Sequence, residues 1–163
     1  MNLSFVPIRE DDLSTIKDIN DWYILNTTAT YYTEPITFDQ LKEVIYFNHP
    51  RYKSYLIYDD TDTVGYCYLT HYKKRPAYDR TTEITIYLHK DHCHRGIGSI
   101  ALEYLEKQAI ETGLKNLVAG ISADNTASLA LFEKSGYIKC AHFKNVGEKF
   151  GMILDVVYYQ KEI

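Results

Sequence analysis

Residues 92–99 read His92-Cys93-His94-Arg95-Gly96-Ile97-Gly98-Ser99, between an alternating apolar stretch, Glu83 to Leu88, and apolar residues at helical spacing, Ile97, Ala101, Leu105 and Ala109. A helix start carries unpaired N–H groups and the positive end of the dipole, and glycines let a phosphate approach the backbone closely. Such a turn can cradle a pyrophosphate, with Arg95 adding a fixed positive charge. A Gly-x-Gly turn alone is equally compatible with plain helix-start chemistry. Glu83, at the entry of the preceding strand, is either a surface carboxylate or a base. Ahead of it, His71 to Arg80 concentrates positive charge. Arg75 could grip a carboxylate or phosphinate with two parallel hydrogen bonds, while Lys73 and Lys74 fit a solvated basic loop equally well.

The elements that must position these residues follow from periodicity and punctuation. Leu3 to Ile8 alternates as a strand, and Asp11-Asp12 caps a helix through Leu13, Ile16, Ile19, Tyr23 and Ile24. Thr37 with Gln40 forms a capping-box pattern for a second helix to about Phe47. Tyr55–Tyr58 and Val64–Leu69, around Asp59-Asp60-Thr61-Asp62, read as a hairpin. Glu83–Leu88 is the next strand, and the helix from Ile97 ends near Thr112-Gly113. Leu117–Ile121 is a buried strand and Asp124-Asn125 caps a short helix ending at Ser135-Gly136. Tyr137–Phe143 and Met152–Tyr159 pair last, about Gly147 and Gly151. The order is βααβββαβαββ, an α/β class with a mixed central sheet of about seven strands.

The bulk properties narrow the function classes. At 163 residues the chain suits one domain, 1–163, and its 25% charged and 45% hydrophobic residues exclude a disordered or collagen-like chain. With 18 basic against 22 acidic residues the net charge is −4, which argues against a nucleic-acid partner despite 16 Tyr. No stretch reaches the roughly 20 apolar residues of a membrane span, and the first residues lack signal-peptide character, so the chain reads as cytoplasmic. Cys67, Cys93 and Cys140 have no C-x-x-C spacing and read as free thiols.

The element order, the Arg95-Gly96-Ile97-Gly98 turn and the run Ala123-Asp124-Asn125-Thr126-Ala127-Ser128-Leu129-Ala130-Leu131-Phe132-Glu133-Lys134-Ser135-Gly136-Tyr137 together resemble the GNAT superfamily of acyl-CoA N-acyltransferases. The resemblance covers nearly the whole chain. It is closer to one branch, the phosphinothricin and methionine sulfone N-acetyltransferases, through Asn26 to Thr30, Thr33-Glu34-Pro35, Arg75-Pro76-Ala77-Tyr78, Thr82-Glu83, and Val146 to Gly151 with Asp155.

That resemblance implies that strands four and five splay apart and hold the pantetheine arm of acetyl-CoA. The backbone of Ile86, Tyr87 and Leu88 would pair with its amides, and Arg95, Gly96, Ile97, Gly98 and Ser99 would bind the pyrophosphate. Asn125 and Ser128 would face it from the other side. Glu83 would be the general base for transfer to a small amino-acid-like amine, with a backbone N–H near Tyr87 for the oxyanion. Tyr31, Thr33, Arg75, Tyr78, Lys149 and Phe150 would form the acceptor pocket, and the branch implies a homodimer. Cys93 stands where the family usually has Arg or Gln, and His94 where a small residue is common, which implies weaker electrostatics toward CoA. Phe132 replaces a Tyr or His, leaving no acid there, and Ile153 replaces a Trp.

Three other readings compete. Gly96 to Ala101 satisfies G-x-G-x-x-A with Asp124 after the next strand, but Lys90 to Arg95 separates strand from turn, unlike a dinucleotide fold. His89, His92, Cys93 and His94 are too close in sequence to surround one metal, so no metal is expected. A non-catalytic acyl-CoA sensor would keep the cradle and lose the base. Within the fold, another amine such as a protein terminus or polyamine is the runner-up.

Overall fold

The computed structural model describes residues 1–163. Seven strands form one mixed sheet in the order β1-β2-β3-β4-β5-β7-β6. They are β1 (Leu3–Pro7), β2 (Ser54–Asp59), β3 (Asp62–His71), β4 (Thr81–Leu88), β5 (Asn116–Ser122), β6 (Ile138–Lys149) and β7 (Met152–Glu162). The helices are α1 (Leu13–Asn26), α2 (Phe38–Lys42), α3 (Ile97–Glu111) and α4 (Thr126–Lys134). The element order is the one the periodicity predicts.

Strand alternation divides the apolar residues between two faces. Cys67, Leu69 and Ile84 pack with Ile97, Ala101, Leu102 and Leu105 of α3 and with Phe132 of α4. On the opposite face Leu56 and Tyr66 meet Leu13, Ile16, Ile19 and Ile24 of α1. Ile16 and Ile24 retain no accessible surface, and each such burial contributes about 2 kcal/mol. Helices therefore cover both faces of the sheet, and β4 runs between them.

Two local features depart from the sequence expectation. The Thr37–Gln40 capping box forms, with Thr37 Oγ1 accepting from the Gln40 amide and Gln40 Oε1 from the Thr37 amide. The helix nevertheless stops at Lys42, because Glu43 and Val44 bond to carbonyls only three residues back and the chain tightens out of α geometry. At the other end β6 continues past Gly147 to Lys149, and the turn falls at Phe150-Gly151, both at positive φ.

Candidate active site

Strands β4 and β5 lie parallel but are paired only at Thr81–Asn116, Thr82–Leu117 and Glu83–Val118. Beyond Glu83 they part. The opening is a cleft of about 700 Å³ walled by Ile84 to Leu88 on one side and Ala119 to Ser122 on the other.

The phase of the β3–β4 ladder decides what the β4 wall offers. The His89 amide donates to the Val64 carbonyl at 2.8 Å, and bonded pairs alternate along an antiparallel ladder. The register Tyr66–Tyr87, Tyr68–Thr85, Thr70–Glu83 therefore carries the bonds to β3. Ile84, Ile86 and Leu88 turn their backbone groups toward the gap. Consistent with this phase, the Tyr23 hydroxyl donates to the Leu88 carbonyl at 2.7 Å. The ladder phase commits the Tyr87 N–H and C=O to β3, unlike the expectation that they meet the pantetheine amides, although Tyr87 remains among the residues lining the cleft.

The N-terminus of α3 closes one end of the cleft. Gly96, Gly98 and Ser99 line it, and Gly96 takes φ 81° as the residue preceding the helix, a conformation that costs a side-chain-bearing residue about 1 kcal/mol or more. His94 pays that strain, at φ 60°, which gives a physical reason for a small residue at this position. The Ile97 side chain is wholly buried in the α3 core, which limits its part in a phosphate site to its backbone N–H. Arg95 also lies outside the lining. Its guanidinium bonds Asp59 Oδ2 at 3.0 Å and His92 Nδ1 at 2.8 Å, because the β2–β3 turn brings a carboxylate beside it. Cys93 does line the cleft, with Sγ 3.6 Å from the Tyr23 hydroxyl.

Across the gap Asn125 and Ser128 line the cleft from α4. Asn125 Oδ1 also accepts from the Ser128 amide at 3.2 Å, so capping and lining coexist in one side chain. Phe132 reaches the cleft, whereas Tyr137 stacks edge-on behind it at 4.9 Å and lies over the Lys161 ammonium.

Glu83 stands where the two strands separate and is among the residues that line the cleft. Burial raises its pKa above the ordinary carboxylate value, and the positive charge of Lys73 offsets this only in part. Nearby phenols, Tyr68, Tyr87 and Tyr158, are raised by burial first and then by neighbouring groups that include Glu83. They remain protonated donors at neutral pH. This tyrosine group, and the field of Lys73 on the carboxylate, were not legible in sequence, because Tyr is equally a core residue and Lys73 reads as solvated.

At the outer end of the cleft Tyr31 is present, its hydroxyl 3.0 Å from Ser122 Oγ. The fold does not bring the remaining pocket candidates into the cleft lining. Thr33, Arg75 and Phe150 are exposed outside the lining, and Tyr78 stacks edge-on against Tyr72. Lys149 is 3% exposed and donates to the Thr30 carbonyl at 2.8 Å; burial lowers its pKa. No group of three or more His, Cys, Asp or Glu side chains is arranged to hold a metal ion, and no helix is long and apolar enough to cross a membrane.

The acetyltransferase (GNAT) family model matches residues 16–137. A phosphinothricin N-acetyltransferase of Streptomyces coelicolor is 30% identical over 159 residues, covering 94% of this chain and 92% of the relative. An L-amino acid N-acyltransferase of Escherichia coli is 28% identical over 158 residues, covering 95% and 91%. The solved structure of a GNAT superfamily phosphinothricin acetyltransferase from Sinorhizobium meliloti in complex with acetyl-CoA matches with a TM-score of 0.91 at 25% identity, covering 100% of this chain and 89% of that one. With a split sheet, a glycine turn at a helix start and a family match over three quarters of its length, the chain belongs to the GNAT acetyltransferase family and is an acyl-CoA-dependent N-acetyltransferase.

Proposed function

We propose that this enzyme acetylates the primary amine of a small amino-acid-like acceptor, of the phosphinothricin, methionine sulfoximine or methionine sulfone type, with Glu83 as general base. One observation carries the reading: Glu83 is the last β4 residue paired to β5, at the apex of the opening, and it is among the residues that line the cleft. The names of the relatives, which act on phosphinothricin and L-amino acids, support the acceptor class.

The cleft fits acetyl-CoA on its own features: a gap with backbone groups turned into it, and two side-chain-free residues at a helix start. Acetyl-CoA supplies the thioester. Gly96, Gly98 and Ser99 bind its diphosphate through backbone N–H groups. Ile86 and Leu88 present N–H groups to the pantetheine amides and to the oxyanion. Glu83 takes the proton of the attacking amine, directly or through water; its raised pKa makes it a stronger base than an exposed carboxylate. A thiolate, from a thiol of pKa about 8.5, leaves without an acid at Phe132.

Arg95 binds the diphosphate only after leaving Asp59. Asp59→Asn is expected to lower the KM for acetyl-CoA about threefold, most clearly at low salt, since a half-exposed ion pair competes only modestly. An unchanged KM would mean that Arg95 stays on the β2–β3 turn during catalysis. The homodimer is supported by the apolar residues that the β6–β7 hairpin leaves exposed, among them Phe143, Val146, Met152 and Ile153. Light scattering should return twice the chain mass; a monomer would remove the dimer from the proposal.

One observation favours the second reading, an acceptor without an anionic group: Glu83 lines the cleft, and no Lys or Arg does. CoA-thiol release from acetyl-CoA with a panel of amines decides between them. Turnover is expected with phosphinothricin, methionine sulfoximine or methionine sulfone and is expected to collapse in Glu83→Gln. Turnover confined to polyamines or peptide termini would replace the acceptor class, and CoA binding without turnover of any amine would indicate a sensor.

A further inference from the structure

We propose that Lys149 is a positioning residue that sets acceptor size: its ammonium clasps the loop between α1 and α2 at the Thr30 carbonyl and thereby holds Tyr31 as the outer wall of the cleft. This rests on the acetyltransferase reading of the same cleft.

Lys149 ends β6, buried, with its Nζ on the Thr30 carbonyl and against the face of Phe150 at 5.1 Å. No carboxylate lies within ion-pair distance of it, and a buried ammonium held by a carbonyl is costly unless it orders something else. What it orders is the residue before Tyr31. The Tyr31 ring lies on Gly147, where a Cβ would come within 3.3 Å of it, and its hydroxyl proton is shared between Ser122 Oγ and the Asp155 carbonyl. Ser122 Oγ in turn donates to Asp124 Oδ1 at 2.6 Å, and Thr28 Oγ1 donates to Asp124 Oδ2 at 2.7 Å. Residues 28, 30 and 31 are thus tied across the cleft mouth to β5, β6 and β7. Regular secondary structure does not hold them there, so these tethers set the loop. Lys149 is the buried tether and Asp124 the exposed one.

The test compares Lys149→Met, which keeps the alkyl volume, with Lys149→Arg and Gly147→Ala. In Lys149→Met the acceptor KM should rise about tenfold with kcat and the acetyl-CoA KM within about twofold, and amines with bulkier side chains should gain relative to small ones. Lys149→Arg should recover most of the acceptor KM. Gly147→Ala should shift acceptor selectivity by displacing the Tyr31 ring with the ammonium intact. Hydrogen exchange of amides 27–33 in the free protein should quicken in Lys149→Met. That readout needs no turnover, so it stands even if the wild type acetylates none of the amines tried. Loss confined to carboxylate-bearing acceptors, with unchanged exchange, would make Lys149 a direct substrate contact and overturn the proposal. Unchanged KM and exchange would overturn it too. If Lys149→Met fails to fold, Gly147→Ala with unaltered selectivity is the overturning result.

Discussion

Replacing Glu83 by Gln should lower kcat by about 10²- to 10³-fold, a barrier increase of about 3–4 kcal/mol, with the acetyl-CoA KM within about twofold. The two side chains have the same shape, and Glu83 bonds to β3 through its backbone, so the wedge keeps its form. The pH dependence separates this from a structural effect. A base works only when deprotonated, so wild-type kcat/KM should rise with pH through the pKa of Glu83. Burial puts that pKa above the ordinary carboxylate value. The acidic limb should therefore lie higher than an exposed carboxylate would give, and Glu83→Gln should lack it. A variant with a third or more of the wild-type rate and the same acidic limb would show that another group takes the proton.

The second large effect concerns a backbone atom. Proline at position 86 removes an N–H that the β3–β4 phase turns toward the gap, where β5 has already diverged. No bond to β3 is lost, and the residue before it stays extended, as proline requires. Ile86→Pro is expected to remain folded and to lose about 10²-fold or more in kcat/KM, the scale set by removing one oxyanion donor. Tyr87→Pro is the contrasting variant. Its N–H belongs to the ladder of a central strand, so it should unfold the protein. Circular dichroism and CoA release measured on both variants check the pair. Near wild-type turnover in Ile86→Pro would show that the gap-facing amide contributes nothing to transfer.

Much of this was legible in the residue order. Strand alternation, the Thr37–Gln40 box, the glycine turn and the Asn125 cap are local, and each is stabilised by bonds within a few residues, so local reading finds them. Gly96, Gly98, Ser99, Asn125 and Ser128 line the cleft for the same reason. The directions of two cations have another cause. The glycine turn points to Arg95 beside a phosphate, but in the fold Asp59, 36 residues away, holds its guanidinium. The family resemblance implies Lys149 in the acceptor pocket, but the Thr30 carbonyl, 119 residues away, holds its ammonium. The direction of a long charged side chain depends on partners that only folding brings near.

The sequence by itself determined the order of elements, the helix-start cradle and the carboxylate at the entry of β4, because periodicity, caps and glycine conformation are properties of neighbouring residues. Only the tertiary structure decided where β4 and β5 separate, which amides face the gap, and which cations are spent on the protein's own oxygens. Those depend on strand register and on contacts across tens of residues, and register is fixed when the two helical layers bury opposite faces of the sheet.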